Sequence, residues 1–217
     1  QAGSGGFAAG ADLLAGDDEA VRLGTYVDGT QPGRRRVRGN GAEASAVALG
    51  EWLATTWLTP AMDRLFMEGA SGRRRFLDRL TLALFPGHAH AANRYEAAMR
   101  ARSKLLADPV GHDPLWIDAL EAQMGEHGAA LDGARRATVR ALGAMLAASP
   151  VAGFPQPEVV MAATDGAGQA WQAETLTSAL RHHRRQDAAA GRALTGPHRQ
   201  DLSVTMAANG QPAAQCS

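Results

Sequence analysis

The sequence predicts an α+β fold in which antiparallel strands at both ends of the chain enclose a long helical arm. Three observations predict it. Short apolar segments with glycine-rich turns fill residues 1 to about 50, a long proline-free run of helical periodicity covers 115–149, and strand-like segments return after residue 150. This order is expected when one sheet-containing domain is interrupted by a protruding helical arm.

The first part of the chain is predicted to be an antiparallel β meander. Its strands are Phe7–Leu14, Val21–Asp28 and Arg34–Arg38, separated by turn sequences such as Gly39-Asn40-Gly41. Glycine and asparagine tolerate the backbone angles that tight turns need. The connections are too short for parallel pairing, which requires a crossover of about a dozen residues. A short helix is expected over 44–55, where apolar residues recur at helical spacing.

Three helices are predicted next. Thr59 can cap a helix and Pro60 fits its first position, so a helix is expected over 59–68. Ser71 is predicted to cap the second helix, which ends at the Pro-Gly pair before the third helix, 88–106.

The fourth predicted helix is the longest. No proline interrupts Leu115 to Ser149, and at about 1.5 Å per residue this segment would reach roughly 50 Å. Such a helix needs a partner, and the third helix, antiparallel across a short turn, is the natural one. The alternative to a coiled-coil arm is an ordinary long bundle helix. The proposed seam residues recur in steps of three or four, close to a coiled-coil repeat: Trp116, Leu120, Met124, His127, Leu131, Ala134, Thr138, Leu142 and Met145.

The last part of the chain returns to mixed structure. We expect strands over Glu158–Ala163 and Asp201–Met206, with one helix between them over Trp171–Arg185. The predicted organisation is therefore an antiparallel β part at 1–58, a helical arm at 59–149 and a mixed return segment at 150–217.

Composition excludes several classes of protein. The 22 basic and 22 acidic residues balance, so total charge does not indicate a nucleic-acid, membrane or acidic partner. No run approaches the roughly 18 apolar residues of a membrane span. The single cysteine, Cys216, excludes a disulfide framework and fits a reducing compartment. His88 and His90 make an unfavourable metal pair, because positions two apart on a helix point in divergent directions, and no metal site is expected.

Local charge differs from the total. Between Ser71 and Ala107 the eight basic residues exceed the two acids, Asp78 and Glu96, by six charges. A basic stripe along a helical arm is what a DNA backbone selects, since each neutralised phosphate releases counterions. The alternative is a solvated helix face with local ion pairs. The candidate DNA-binding residues are Arg73, Arg74, Arg75, Arg79, Arg94, Arg100, Arg102 and Lys104.

Two segments carry a more specific pattern. The first is Arg74-Arg75-Phe76-Leu77-Asp78, which follows Thr59-Pro60, and the second is Gly196-Pro197-His198-Arg199 with Asp201 close behind. In this order and at these spacings the motifs resemble the RecF family, DNA repair ATPases related to SMC and other ABC-type ATPases. The stretch from Arg94-Tyr95 to Leu105-Leu106 also resembles the arm helix of that family, so the resemblance covers essentially the whole chain.

The resemblance implies a partial ABC-type ATPase head with an inserted arm. It implies ATP and Mg as cofactors of the parent protein and an ATP-dependent homodimer on DNA, including single-stranded DNA. It further implies other recombination-mediator proteins as partners, no membrane, a cytoplasmic location, and roles in DNA replication, DNA recombination, repair and the SOS response. Ser217 would be the signature-motif serine that touches ATP bound to the other head, and the arm would link DNA geometry to head closure as a two-state element.

The sequence also departs from the family pattern. Gln200 stands where the family usually has an acid, and the phosphate-binding loop with its lysine and the acidic magnesium strand are both absent. We therefore expect an internal fragment that binds no cofactor alone, and whether the chain itself is an enzyme stays open. The alternatives are another SMC- or ABC-type ATPase with an arm insertion, or a non-enzymatic helical scaffold for protein interaction.

Overall fold

A computed structural model describes most of the chain in two compact units, residues 1–55 and 56–217, which are treated separately. None of the helices among the described residues is long and apolar enough to cross a lipid bilayer. The described residues are 6–14, 20–31, 33–45, 49–50, 52–54, 56–57, 59–108, 113–150, 153–162 and 170–215.

The first unit contains an antiparallel sheet in the order β1-β2-β3-β4, as the meander prediction expected. Val21, Leu23 and Val37 are buried on one face, and the alternation along β2 follows the two-residue period of a strand. The fourth strand was not predicted, and Ala44 ends it where a helix was expected to begin. Residues 49, 50 and 52 are helical, while other parts of the predicted helix lie outside the described residues. The strands are β1 (Phe7–Leu14), β2 (Ala20–Val27), β3 (Arg35–Gly39) and β4 (Ala42–Ala44).

The second unit begins with three helical segments and then its longest helix. A 3-10 helix spans Pro60–Arg64, followed by α1 (Ala70–Leu84), α2 (His88–Leu106) and α3 (Pro114–Ala148). The predicted helix over 59–68 was thus too long. Gly69, not Ser71, is the N-cap of α1.

The helices α2 and α3 pack antiparallel, as predicted. Arg102 of α2 lies beside Glu121 at the start of α3, whereas His90, a turn into α2, lies beside His127 further along α3. The seam of α3 is buried only in its middle, because Met124 is fully buried while both ends are exposed. The shared core of these helices contains Tyr95, Ala98, Leu120, Met124, Leu131, Leu176 and Leu180.

The return segment adds a two-stranded antiparallel sheet of β5 (Pro157–Ala162) and β6 (Asp201–Met206), and two short helices, α4 (Ala173–His182) and α5 (Arg184–Ala190). One helix was predicted here, but the helical run breaks at His183.

The helices predicted as a protruding arm share their core with the return segment. Gly125 of α3 allows α4 to pack closely, because a Cβ atom there would lie about 2.6 Å from the Ala173 carbonyl oxygen. Leu77 of α1, Val139 of α3 and Leu202 of β6 form a second apolar cluster. Within residues 56–217, the helices of the predicted arm therefore pack against the return segment.

Candidate nucleic-acid interface

The two motifs of the sequence analysis meet in space at the junction of α1 and β6. The Arg73 Nε and Nη2 atoms donate to the two carboxylate oxygens of Asp201, at 2.9 and 2.7 Å. Arg74 Nη1 donates to the Gln200 carbonyl oxygen at 3.1 Å. Arginine and carboxylate match in this two-point geometry, so the ion pair fixes α1 against the first residue of β6.

A second set of contacts joins the same motifs through α3. The Arg135 guanidinium donates from Nε and Nη2 to the two Asp78 oxygens, at 2.8 and 2.9 Å, and from Nη1 to the Pro197 carbonyl oxygen at 2.8 Å. His88 Nε2 lies 2.8 Å from Asp78 Oδ1. Although burial acts to raise it, the hydrogen bonds from His88 and Arg135 hold the pKa of Asp78 below its ordinary value. Sequence reasoning missed Arg135, because it lies outside both motifs.

His198 connects the second motif to α2. Its Nδ1 lies 2.8 Å from the Tyr95 hydroxyl, and its Nε2 lies 3.0 Å from the Ala193 carbonyl oxygen. Burial, opposed by the Ala193 hydrogen bond, lowers the pKa of His198, so the ring is neutral at pH 7. Because Ala193 offers only an acceptor, Nε2 carries the proton and Nδ1 accepts from the Tyr95 hydroxyl. Burial also raises the pKa of Tyr95, which therefore remains a donor.

Gly196 makes this contact possible. Its φ of 132° is a value that residues with a side chain rarely adopt, and a Cβ atom at this position would collide with the Tyr95 hydroxyl. Both the backbone conformation and the packing against Tyr95 therefore require glycine at this position of the motif.

The glutamine at position 200, where the family pattern has an acid, has a structural explanation. Its side chain is buried, and its amide Nε2 donates to Asp132 Oδ1 at 2.6 Å. The Trp171 backbone N–H and Arg136 Nε also donate to the Asp132 carboxylate, at 2.7 and 2.9 Å. An acid at position 200 would place a second negative charge against Asp132, whereas an amide supplies a donor.

The predicted basic stripe divides into solvent-facing and engaged residues. Arg100 is exposed and pairs with Glu96 one helical turn away, at 3.3 Å. Arg79 is half-buried, and its guanidinium lies 5.2 Å from the centre of the Trp57 ring, in cation–π contact. The other exposed members are Arg75, Arg94 and Lys104.

Arg102 does not belong to this surface, and its prediction as a DNA contact was wrong. Its side chain is 0% exposed and forms ion pairs with Glu121 at 2.9 Å and Asp187 at 2.6 Å. The sequence held a signal for this, because Arg102 shares the helical face of Tyr95 and Ala98, which are core residues.

Arg73 is also largely buried, with only 16% of its side chain exposed. Besides its ion pair with Asp201, its Nη1 donates to the Glu68 carbonyl oxygen at 2.5 Å. The contacts of Arg73 are therefore structural.

The other residues of the predicted motifs lie at the start of the second unit, in its apolar core or outside the described residues. Thr59 precedes the 3-10 helix that Pro60 begins. Leu77 is core, and Phe76 packs against the same cluster. Ser217 lies outside the described residues. No side chains described in the structure form a group of three or more His, Cys, Asp or Glu residues suited to a metal ion.

The sequence contains no glycine-rich loop ending in Lys-Ser or Lys-Thr, the cradle of backbone N–H groups and lysine that P-loop ATPases use to hold a triphosphate.

The described elements, an antiparallel sheet in the first unit and packed helices with a two-stranded sheet in the second, match the fold of part of an ABC-type ATPase head. The chain is similar to a solved structure described as the recombination mediator protein RecF with ATP in the RecFOR pathway. The TM-score is 0.78 at 18% sequence identity, covering 98% of this chain and 58% of that one.

The sequence comparisons identify the family. A protein from Mesorhizobium japonicum named DNA replication and repair protein RecF is 46% identical over 100% of this chain and 59% of its own length. A protein of the same name from Caulobacter vibrioides is 42% identical over 97% of this chain and 57% of its own length. No family model matches the chain. The chain belongs to the RecF family, and it spans less than three fifths of the length of these two relatives.

Proposed function

We propose that this chain is the part of a RecF-type DNA-binding ATPase that couples the ATPase head to DNA in replication and recombinational repair. The observation that carries the proposal is the junction of the two family motifs, where Arg73 holds Asp201 and Arg135 holds both Asp78 and the Pro197 carbonyl. These contacts join the basic helix α1, directly and through α3, to the segment proposed to return to the head.

The wider activity belongs to the whole protein. We propose that it binds and hydrolyses ATP with Mg, forms a homodimer in the ATP state, and acts on single-stranded DNA in the SOS response. We further propose recombination-mediator proteins as its partners and the cytoplasm as its location. The names of the relatives support the role in DNA replication and repair, and the similar structure, described as RecF with ATP, supports the nucleotide.

Within the chain, we assign three proposed roles by segment. Residues 1–58 contribute β structure to the head, 59–149 form the helical arm, and 150–217 return to the head. Ser217 is proposed to contact ATP held by the partner head. Backbone phosphates are proposed to be held by the exposed basic residues Arg75, Arg94, Arg100 and Lys104, together with the half-buried Arg79.

A salt titration of DNA binding by the intact protein tests this proposal. Charge reversal at Arg75 and Arg94 should weaken binding equally for unrelated DNA sequences, since phosphate contacts carry no base information. It should also make the dependence of log affinity on log salt less steep, by about 0.9 for each phosphate that the protein no longer neutralises.

Two results would contradict the proposal. Strongly sequence-dependent losses of affinity would place these residues at bases and not at phosphates. Absence of DNA-stimulated ATP hydrolysis, together with a salt slope near zero, would favour a non-enzymatic scaffold.

A further inference from the structure

A cavity of about 380 Å³ between the basic helices and the second motif is lined by four arginines. They come from four separate places in the chain: Arg74 from α1, Arg100 from α2, Arg192 from the loop after α5, and Arg199 from the second motif. No carboxylate lines this cavity among the described residues. Positive charge contributed to one cavity by separate elements favours an anion there.

Glu96 pairs with Arg100 on the solvent side of α2, and the two acids near Arg74 are held by other arginines. Asp201 and Asp78 both attract Arg74, but Asp201 is bound by Arg73 and Asp78 by Arg135. Arg74 instead donates to a backbone carbonyl. Burial is the main cause that lowers the pKa of Arg74, and the neighbouring charges of Arg135 and Arg199 lower it further. The Arg74 guanidinium therefore forms no direct ion pair in the described part of the chain.

The other walls of the cavity are suited to a phosphate group. The His198 ring is oriented by hydrogen bonds with the Tyr95 hydroxyl and the Ala193 carbonyl, so it lines the cavity as a neutral group. The Ser103 side chain supplies a hydroxyl that can donate to a phosphate oxygen. Arg192 is exposed and has no side-chain partner within the described residues, so its guanidinium is available at the mouth. Guanidinium groups match phosphate oxygens in two-point geometry.

We infer that this cavity is a phosphate site that takes one backbone phosphodiester of DNA. The inference rests on the proposed function and locates one DNA contact at the junction between the arm helices and the second motif. It also gives the second motif a direct role, because Arg199 and Arg74 would bind the same phosphate from the two motifs.

The test compares two single substitutions in the intact protein. Arg192→Gln removes an exposed charge with no side-chain partner among the described residues, so the fold should persist even where Arg74→Gln would disturb the half-buried junction. Arg140→Gln is the matched control, because Arg140 is an exposed arginine on α3 that lines a different cavity. Binding of a labelled duplex and a labelled single strand is measured by fluorescence anisotropy at several NaCl concentrations.

We expect the salt slope of Arg192→Gln to be shallower by about 0.9, with roughly eightfold weaker binding at 0.1 M salt. The Arg140→Gln protein should match the wild type. Equal slopes for all three proteins would overturn the inference while leaving DNA binding intact. No binding by the wild type would overturn the proposed function as well.

A second arm distinguishes a backbone phosphate from free phosphate. Chloride is replaced by inorganic phosphate at constant ionic strength. If the cavity binds a backbone phosphate, the wild-type protein should still bind DNA more tightly than the Arg192→Gln protein. If inorganic phosphate makes the two DNA affinities equal, the cavity is a site for free anions and its assignment to a DNA backbone phosphate is wrong.

Discussion

Replacement of Arg102 tests whether a buried ion cluster holds the second unit together. The Arg102 guanidinium is fully buried and donates to Glu121, to Asp187 and to the Leu180 carbonyl oxygen, at 2.9, 2.6 and 2.7 Å. It thereby connects α2 to α3, α4 and α5 at one point. Arg102→Met keeps much of the length of the side chain but removes the positive charge that the two buried acids share.

The expected loss of unfolding free energy depends on the hydrogen-bond partners that the two acids retain after Arg102 is replaced. Glu121 retains the Arg184 guanidinium, whose Nε lies 2.9 Å from Oε1. Asp187 retains the Leu194 backbone N–H at 2.9 Å but loses its arginine. Breaking a buried pair by removing one partner costs about 3–5 kcal/mol, a large share of the roughly 5–15 kcal/mol that stabilises a typical domain. At a slope of about 2 kcal/mol per M urea, the midpoint of unfolding should fall by roughly 1.5–2.5 M.

Urea unfolding followed by circular dichroism at a helix-sensitive wavelength measures this loss. The signal reports mainly the second unit, which contains all five of the helices α1 to α5. Arg100→Met is the matched control, since this exposed arginine on the same helix pairs with Glu96 in solvent and should cost only about 0.5 kcal/mol. Arg102→Met/Asp187→Asn should recover part of the loss, because the uncompensated carboxylate is removed. If the midpoints of Arg102→Met and Arg100→Met agree, the cluster does not stabilise the unit.

Three further substitutions or conditions test the motif junction. Gly196→Ala should cost about 1–3 kcal/mol in unfolding free energy, because of backbone strain and the collision with the Tyr95 hydroxyl. Gln200→Glu should cost about 3–5 kcal/mol at pH 7 by placing a buried charge against Asp132, and the loss should shrink as pH falls and one carboxyl becomes protonated. The pKa of His198 is lowered in the folded state, so the unfolded chain takes up the proton first and stability should decline below about pH 6.5.

Each of these has a control in the same urea assay. Gly87→Ala adds a methyl group where nothing lies within 4 Å and should be nearly neutral. A Gln200→Glu protein that lost stability equally at about pH 5 and pH 7 would show that repulsion by Asp132 is not the cause. A His198→Gln protein with the same decline below about pH 6.5 as the wild type would assign that decline to another group.

The element order could be predicted from the sequence because period and turn chemistry are local properties. The strand Phe7–Leu14, the helix 88–106 and the strand Asp201–Met206 were placed at their observed bounds. The errors lie where local preference competes with tertiary contacts. At His183 the helical propensity continues, yet the chain turns so that Asp187 of α5 reaches Arg102.

The site was harder to predict, because pairing between distant side chains leaves no local trace. The motif resemblance located Asp78 and Asp201 but could not show that arginines hold them. Arg73 and Asp201 are 128 residues apart in the chain, and Arg135, which bridges both motifs, belongs to neither. Helical periodicity could have removed Arg102 from the basic stripe, since its neighbours at three- and four-residue spacing include core residues.

The positive surface of the second unit follows from the local excess of basic residues in α1 and α2 together with this pairing, and not from the total charge of the chain. The acids of the chain equal its basic residues in number, but four of the acids are held in the ion pairs of the motif junction and the buried cluster. Arg135 holds Asp78, Arg73 holds Asp201, and the buried Arg102 is compensated by Glu121 and Asp187. Each acid so engaged is withheld from the helix surface, and a neutral chain thereby presents an uncompensated cationic face. Arginines and a lysine of α1 and α2 without an ion pair among the described residues make up that face: Arg74, Arg75, Arg79, Arg94 and Lys104.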